Sequence, residues 1–347
     1  MTTPFDPDAA AAPGSGPFGL DHAAEDALIH VLPVPFDATT SYRDGTAAGP
    51  EAILAATHQV ELADLAFGKP YLAGLHWLEV DPRIAEWNKE AREYAEPIIA
   101  RGGAIDGDPH LVRSLERVDA LGAKVNELVE ERTTALLEAG KRPLIVGGDH
   151  SVPYGAICAA ARKHPGLGIL HFDAHADLRV AFEGFRWSHA SILHNVLEDA
   201  HELEALLQVG LRDVGQAEVE RIHADPRVHA VFDHEWALAK LAGQDLVSFV
   251  RDRVALLPDS VWVTFDIDGL DPMLCPGTGT PVPGGLDWNE AALWLKTLAD
   301  SGRTVVGADL VEVRPSECAA DEDSWDAIVG ARLLYRLAAL LAGPERR

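Results

Sequence analysis

The chain is poor in cysteine and in positive charge. Only Cys158, Cys275 and Cys318 occur among 347 residues. Their number is odd, their spacing wide and no CxxC pair is present, so they build neither a disulfide framework nor a thiolate zinc site. This points to a reducing, cytoplasmic setting. Lys and Arg number 29 against 55 Asp and Glu, a formal net charge of −26, and a surface that acidic repels phosphate backbones and anionic lipid. Nucleic acid and membranes are therefore not expected as partners, whereas a cationic small molecule is attracted. No apolar run approaches the ~18 residues of a membrane span. The N-terminus, MTTPFDPDAAAAPGSGPFGLDHAAED, lacks the basic and apolar regions of a signal peptide.

What is present is ordinary globular material, with 47% hydrophobic and 24% charged residues. Residues 1–26, rich in Ala, Pro, Gly and Asp, show no periodicity and read as a flexible arm. From residue 27 to 347 no linker or repeat divides the chain, so a single domain is expected. Short apolar runs alternate with helical stretches, the pattern of βα units around a mostly parallel sheet. Candidate strands are Leu28–Val34, Leu144–Val146, Leu167–Asp173, Leu207–Leu211, Val228–Phe232, Val261–Asp266 and Val305–Leu310. The spacing of Leu111, Leu115, Val118, Leu121, Val125, Leu128 and Leu136 predicts one long helix ended by Gly140. A last helix is expected over about Ser324 to Leu341, and residues 77–107 read as a peripheral helix with loops.

Three strands run into side chains of the metal-ligand type. Leu144-Ile145-Val146 leads into Gly147-Gly148-Asp149-His150-Ser151, Ile169-Leu170-His171-Phe172 into Asp173-Ala174-His175-Ala176-Asp177, and Val263-Thr264-Phe265 into Asp266-Ile267-Asp268. In parallel α/β sheets the ligand crevice lies beyond the carboxyl ends of the strands. The i, i+2, i+4 spacing of Asp173, His175 and Asp177, and the i, i+2 spacing of Asp266 and Asp268, point each set to one side of an extended backbone. So many buried carboxylates repel one another and lose hydration unless a divalent metal relieves them. Four carboxylates and the imidazoles of His150 and His175 exceed one tetrahedral ion and suit two ions sharing bridging carboxylates. Mixed oxygen and imidazole ligation without thiolate fits Mn²⁺, with Ni²⁺, Co²⁺, Fe²⁺ and Zn²⁺ as alternatives. Capping and hydrogen bonding explain any one of these motifs alone; three at strand ends favour metal. His171 is placed on the other face of its strand as a packed histidine, His194 has no assigned role, and Trp187 reads as packing with cation stacking as the alternative.

These motifs resemble the arginase/agmatinase (ureohydrolase) family over almost the whole chain from about residue 28. GGDHS (147–151), DAHAD (173–177) and FDIDGLDP (265–272) stand in the family's order, joined by VPFDATTSYRDGTAAGPEAI (34–53), PGTGTPVPGGL (276–286) and ADLVEVRP (308–315). The resemblance implies a three-layer α/β/α fold around an eight-stranded, mostly parallel sheet, assembled as a homo-oligomeric trimer or hexamer. It implies one metal held by His150, Asp173, Asp177 and Asp266 and a second by His175, Asp173, Asp266 and Asp268. It further implies His189 as a proton shuttle titrating near neutrality, Asp177 as partner of the departing amine, and Glu312 as the carboxylate that pairs with a guanidinium. A bridging hydroxide then attacks the guanidinium carbon and urea is released.

The substrate is expected to be a small guanidino cation, an agmatine-type amine or guanidine itself. The loop LRVAFEGFRWSHAS (178–191) lacks the Asn, Thr and Ser set of arginase-type loops, which disfavours arginine, and PGTGTPVPGGL is similar to agmatinase-type loops. Ala190-Ser191-Ile192 after His189 depart from the agmatinase pattern, and Phe182 to Trp187 resemble what is expected of members acting on guanidine. Formimidoylglutamate or another guanidino acid is the alternative, with Arg179 or Arg186 as a carboxylate clamp. A non-catalytic partner subunit on the same fold is the reading from another class.

Overall fold

Strand residues such as Leu144 to Val146 and Ile169 to Phe172 are buried on both faces of the sheet, as in sheets covered by helices on either side. The computed structural model describes residues 6–12, 14–315 and 324–343; Cys318 lies outside them. In chain order the elements are β1 (Ile29–Val34), α1 (Gly49–Thr57), β2 (Leu75–Trp77), α2 (Pro82–Ile99), α3 (Pro109–Glu138), β3 (Arg142–Gly147), α4 (Tyr154–Lys163), β4 (Leu167–Phe172) and α5 (Ile192–Asp199). There follow β5 (Leu203–Leu211), α6 (Gln216–Ala224), β6 (Val228–Phe232), α7 (Asp233–Leu241), α8 (Leu246–Val254), β7 (Ser260–Asp266), α9 (Trp288–Asp300), β8 (Thr304–Val311) and α10 (Trp325–Ala342). All strand pairs are parallel and form one eight-stranded sheet in the order β2-β1-β3-β8-β7-β4-β5-β6.

Alternation along each strand divides the core in two. On β3, Leu144 and Val146 join a cluster under α1, α8, α9 and α10, while Ile145 joins the opposite cluster under α3, α4 and α5, giving three α/β/α layers. The seven strands expected from sequence are present; β2, only three residues long, is the one the pattern did not reveal. α2 and α3 both begin at an Asp-Pro pair. Asp81 accepts from the Arg83 amide and Asp108 from the His110 amide, with proline in the first turn, which satisfies orphan amides and presets φ.

The flexible arm expected over residues 1–26 needs correction in its later part. Phe18 and Leu20 are 3% exposed and belong to the core; the Phe18 ring lies 4.7 Å from that of Tyr335. These two apolar side chains supply burial that the Ala- and Pro-rich composition hid. The Lys141 ammonium donates to the carbonyls of Ala24, Glu25 and Ala27 at 3.1, 2.8 and 2.6 Å. Charge-assisted hydrogen bonds each contribute roughly 1.5–3 kcal/mol. Lys141→Ala is therefore expected to speed chymotryptic cleavage after Phe18 about tenfold or more; an unchanged cleavage rate would show that the lysine does not hold the segment.

Candidate metal centre

β3, β8, β7 and β4 are neighbours at the middle of the sheet, and the candidate ligands leave their carboxyl ends. His150 follows β3, Glu312 follows β8, Asp266 and Asp268 lie at and just past the end of β7, and Asp173, His175 and Asp177 follow β4. The five carboxyl groups of Asp173, Asp177, Asp266, Asp268 and Glu312 are each at most 4% exposed. β4 ends at Phe172, so Asp173 to Asp177 are not the extended run that the spacing suggested. The chain turns instead, with Asp177 at φ 54°, and Glu312 at φ 62° is likewise left-handed. Non-glycine residues held there carry strain and cluster at functional sites.

Two groups of donors share Asp173. In the first, His150 Nδ1 lies 3.0 Å from Asp173 Oδ2, 2.9 Å from Asp177 Oδ2 and 3.4 Å from Asp266 Oδ2. In the second, His175 Nδ1 lies 3.2 Å from both Asp173 Oδ1 and Asp268 Oδ2. A single N–H cannot satisfy three acceptors. Ligands bonded at ~2.1 Å and set at right angles lie about 3.0 Å apart, so these spacings are those of donors around a cation. Five of the six candidate ligands fall into two groups that share Asp173, with Asp266 beside the first, and this donor set would suit a pair of divalent ions.

Behind the ligands runs a buried polar row. Gln208, His171, Thr264 and Asp309 are paired in register across β5, β4, β7 and β8, and all are fully buried. Thr264 donates to Asp309 Oδ1 at 2.7 Å, and Trp262 Nε1 donates to Oδ2 at 2.6 Å. With its proton committed, Thr264 Oγ1 accepts from His150 Nε2 at 2.9 Å, which leaves Nδ1 toward the carboxylates. Gln208 Nε2 donates to the Ala176 carbonyl at 2.8 Å and to His171 Nδ1 at 3.0 Å, so His171 Nε2 donates to Asp173 Oδ2 at 3.0 Å. His171 is therefore no packed histidine on the far face. Residues two apart share a face, and it supports Asp173. Polar residues inside otherwise apolar strands were the sequence clue to this row.

The charges follow from burial and crowding. Burial, then the Asp173 charge, pushes Asp177 up to about 7, and burial with Asp268 and Asp173 holds Asp266 well above the carboxylate range. Burial pulls His150 down, but hydrogen bonds to Asp173, Asp177 and Asp266 outweigh it and raise it well above 6.5. Burial also opposes the charge on His175, which Asp268 and Asp173 nonetheless raise. Glu312 is raised by burial and by Asp266 and Asp149; its Oε1 accepts from the His150 amide at 2.9 Å. His189 does not titrate near neutrality as expected. Burial, with His175 and His150 in their charged forms, drives it down to about 4, and its Nδ1 is buried with no partner among the described residues. One pocket is lined by His150, His175, Asp177, His189, Asp266 and Glu312, with Arg179 and Phe182 on its wall. Arg186 and Trp187 are not in that lining: Arg186 stacks on Trp187 at 4.5 Å, and Trp187 packs on Tyr154 at 4.9 Å.

A parallel sheet that gathers buried carboxylates and imidazoles beyond its carboxyl edge defines an α/β/α protein with a candidate metal centre. The arginase family model matches residues 27–339. The chain is 31% identical to an N(1)-aminopropylagmatine ureohydrolase of Synechocystis sp., over 84% of this chain and 82% of that protein. It is 32% identical to an agmatinase of Bacillus anthracis, over 84% and 85%. The solved structure of proclavaminate amidino hydrolase from Streptomyces clavuligerus superposes with a TM-score of 0.71 at 25% identity, covering 96% of this chain and 99% of that one. The chain belongs to the arginase family, the metal-dependent ureohydrolases.

Removing the Thr264 hydroxyl strands both His150 Nε2 and Asp309. Thr264→Val is expected to weaken Mn²⁺ binding about 10- to 100-fold by calorimetry, with Thr264→Ser restoring it; equal affinity in all three proteins would show that the row does not orient His150. Without ions, stability should also depend on pH. Asp177 keeps its proton up to about pH 7 when folded and only to about pH 4 when unfolded, so its contribution is lost as pH rises through that window. The raised Asp266, Glu312, His150 and His175 act in the same direction, whereas the depressed His189 acts oppositely only below its ordinary 6.5. Ion-free protein should melt several degrees lower at about pH 8.5 than at about pH 6.5, and saturating Mn²⁺ should close the gap. A flat or rising melting temperature over that range contradicts the electrostatic account.

Proposed function

We propose that the protein hydrolyses a C–N bond of a small cationic guanidino compound, an agmatine-type amine or guanidine itself, and releases urea. The observation that carries this is one pocket that joins four of the candidate ion ligands, His150, His175, Asp177 and Asp266, to Glu312 and His189. The names of the Synechocystis and Bacillus relatives, which refer to aminopropylagmatine and agmatine, support it. In this reading His150, Asp173, Asp177 and Asp266 hold one divalent ion and His175, Asp173, Asp266 and Asp268 the other, with Mn²⁺ as the resident ion and Ni²⁺ as its alternative. When bound, the two ions supply a water acidic enough to attack at neutral pH and the charge that steadies the transition state.

The chain's own groups do the rest. Glu312 is anchored through Oε1, and its remaining acceptor capacity faces the two parallel N–H bonds of a guanidinium. A cationic substrate meets the charge that burial makes costly on this carboxylate, so binding and loss of the Glu312 proton are linked. Asp177 accepts a hydrogen bond from the departing nitrogen. His189, neutral at working pH, relays the proton that this nitrogen needs to leave as an amine, or as ammonia when guanidine is the substrate. The water oxygen becomes the carbonyl oxygen of urea. Free thiols at Cys158 and Cys275 suit a reducing, cytoplasmic compartment.

A guanidino acid is the second reading, favoured by Arg179 on the pocket wall. Against it, Arg179 Nε already has Glu218 Oε2 at 3.6 Å. Protein loaded with Mn²⁺ or Ni²⁺ and given guanidine, agmatine, guanidinobutyrate or arginine is expected to release urea from one of the first two. Glu312→Gln should raise KM for that substrate about tenfold or more with metal content unchanged. Urea from guanidinobutyrate alone would select the second reading, and none from any compound would overturn both.

A further inference from the structure

The pocket wall at Phe182 belongs to the loop 178–191, whose aromatic run is read from sequence without a geometry. Phe182 donates its amide to the Phe185 carbonyl at 3.2 Å, and the Phe185 amide returns a bond to Phe182 at 2.9 Å. Between them Glu183 and Gly184 have φ 52° and 90°, the left-handed pair that a two-residue I′ hairpin requires. Phe185 is fully buried among Ala95 and Ile98 of α2 and Leu111 and Val118 of α3. Gly103, just beyond α2, comes so close that a Cβ there would lie 2.6 Å from Glu183 Cα. The Arg186 amide donates to Asp119 of α3 at 3.0 Å. The hairpin is thus gripped from below by both helices.

A second part of the pocket lining is also held by α2. Asn88 of α2 accepts from the Asp37 amide at 2.8 Å and donates to Asp37 Oδ1 at 3.0 Å, and Arg92 donates to the Thr40 carbonyl at 2.7 Å. Ser41, next along that loop, lines the same pocket as Phe182 and the candidate ligands. The Phe182 ring stands edge-on to His189 with centroids 5.9 Å apart, and Arg179 lies 5.0 Å over its centre. Phe182 thus gives the pocket an aromatic wall, backed by a cation and carried on a hairpin that packs on two helices.

We propose that Phe182 is a specificity-determining residue that limits the length of the substrate's tail, and that Phe185 is the positioning residue that fixes it by plugging the α2–α3 groove. This rests on the guanidino reading above and names the property of the pocket that sorts members of that substrate class. Short alkyl tails fit beneath the ring; longer ones meet it.

The test uses full-length Mn²⁺-loaded protein and the series guanidine, methylguanidine, propylguanidine and agmatine, with binding followed by calorimetry and turnover by urea release. One methylene in such a pocket is worth about tenfold or more in discrimination. Phe182→Ala is expected to raise agmatine relative to methylguanidine, in affinity and in kcat/KM, by about tenfold or more, and Phe182→Trp to shift the ratio the other way. Phe185→Ala should act like Phe182→Ala, since the ring loses its anchor, at a lower melting temperature. Equal scaling of the whole series by both Phe182 variants, or no change, overturns the proposal; if Phe185→Ala only lowers stability, the positioning role falls. A length dependence in binding that moves as described while no compound yields urea supports the wall and overturns the hydrolytic reading alone.

Discussion

Mutual repulsion among buried carboxylates is the constraint from which the rest of this structure follows. Five of them crowd the ends of four adjacent strands; loss of hydration and like charge disfavour ionisation of Asp177, Asp266 and Glu312. At Asp173, by contrast, burial is outweighed by hydrogen bonds from His150, His171 and His175, which keep it ionised. A fold cannot keep such a cluster without counter-charge. The imidazoles of His150 and His175 sit where that counter-charge is needed, each bridging several carboxylate oxygens. In the ion-free chain, protons supply the positive charge that divalent ions would bring to this cluster, so ion binding and proton release would be one equilibrium. The raised Asp177, Asp266 and Glu312 and the raised imidazoles are two faces of it.

The cluster is held in place by the sheet rather than by the loops that carry it. Gln208, His171, Thr264 and Asp309 lie side by side on β5, β4, β7 and β8, one layer beneath the ligands. Parallel pairing fixes their spacing, and each proton in the row has one acceptor that suits it. The direction of those protons aims His150 Nδ1 and engages Asp173 Oδ2. Strain at Asp177 and Glu312, both at positive φ, is borne because Leu193 and His194 amides bind the Asp177 carbonyl and Glu312 is tied to Gly148 and His150.

The cluster of candidate ligands was legible from sequence because each motif closes an apolar strand, and strand ends in a parallel sheet converge. Their mutual placement did not depend on the extended geometry assumed for Asp173 to Asp177; the turn at Asp177 brings the same side chains together. The polar row was not legible as a unit, since register across strands is a tertiary property that joins positions as distant as Gln208 and Asp309. His171 was misplaced even though its spacing from Asp173 puts both on one face. The packed part of the N-terminal segment was obscured for another reason: Phe18 and Leu20 are too isolated to produce a period, and Lys141 holds the neighbouring carbonyls from 114 residues away or more. His189 shows that a residue's position can be read from sequence while its protonation cannot, because the shift to about 4 comes from what encloses it.

Residues 77–107 illustrate how a peripheral element gains a role without any chemical motif. α2 contributes few side chains to the main core; it packs on α3, where Glu90 pairs with Arg117, and its Asn88 and Arg92 reach Asp37 and Thr40 while Ala95 and Ile98 receive Phe185. A loop fixed only by its own backbone samples several conformations, and discrimination between guanidino tails differing by a few methylenes needs a wall that stays put. The central strands therefore carry the candidate ion ligands, through residues fixed by strand register. The outer helix sets what reaches them, through packing that can change in volume without disturbing the ions. Separation of the two explains how one sheet and one ligand set can serve different guanidino tails, with selectivity carried by the elements outside the sheet.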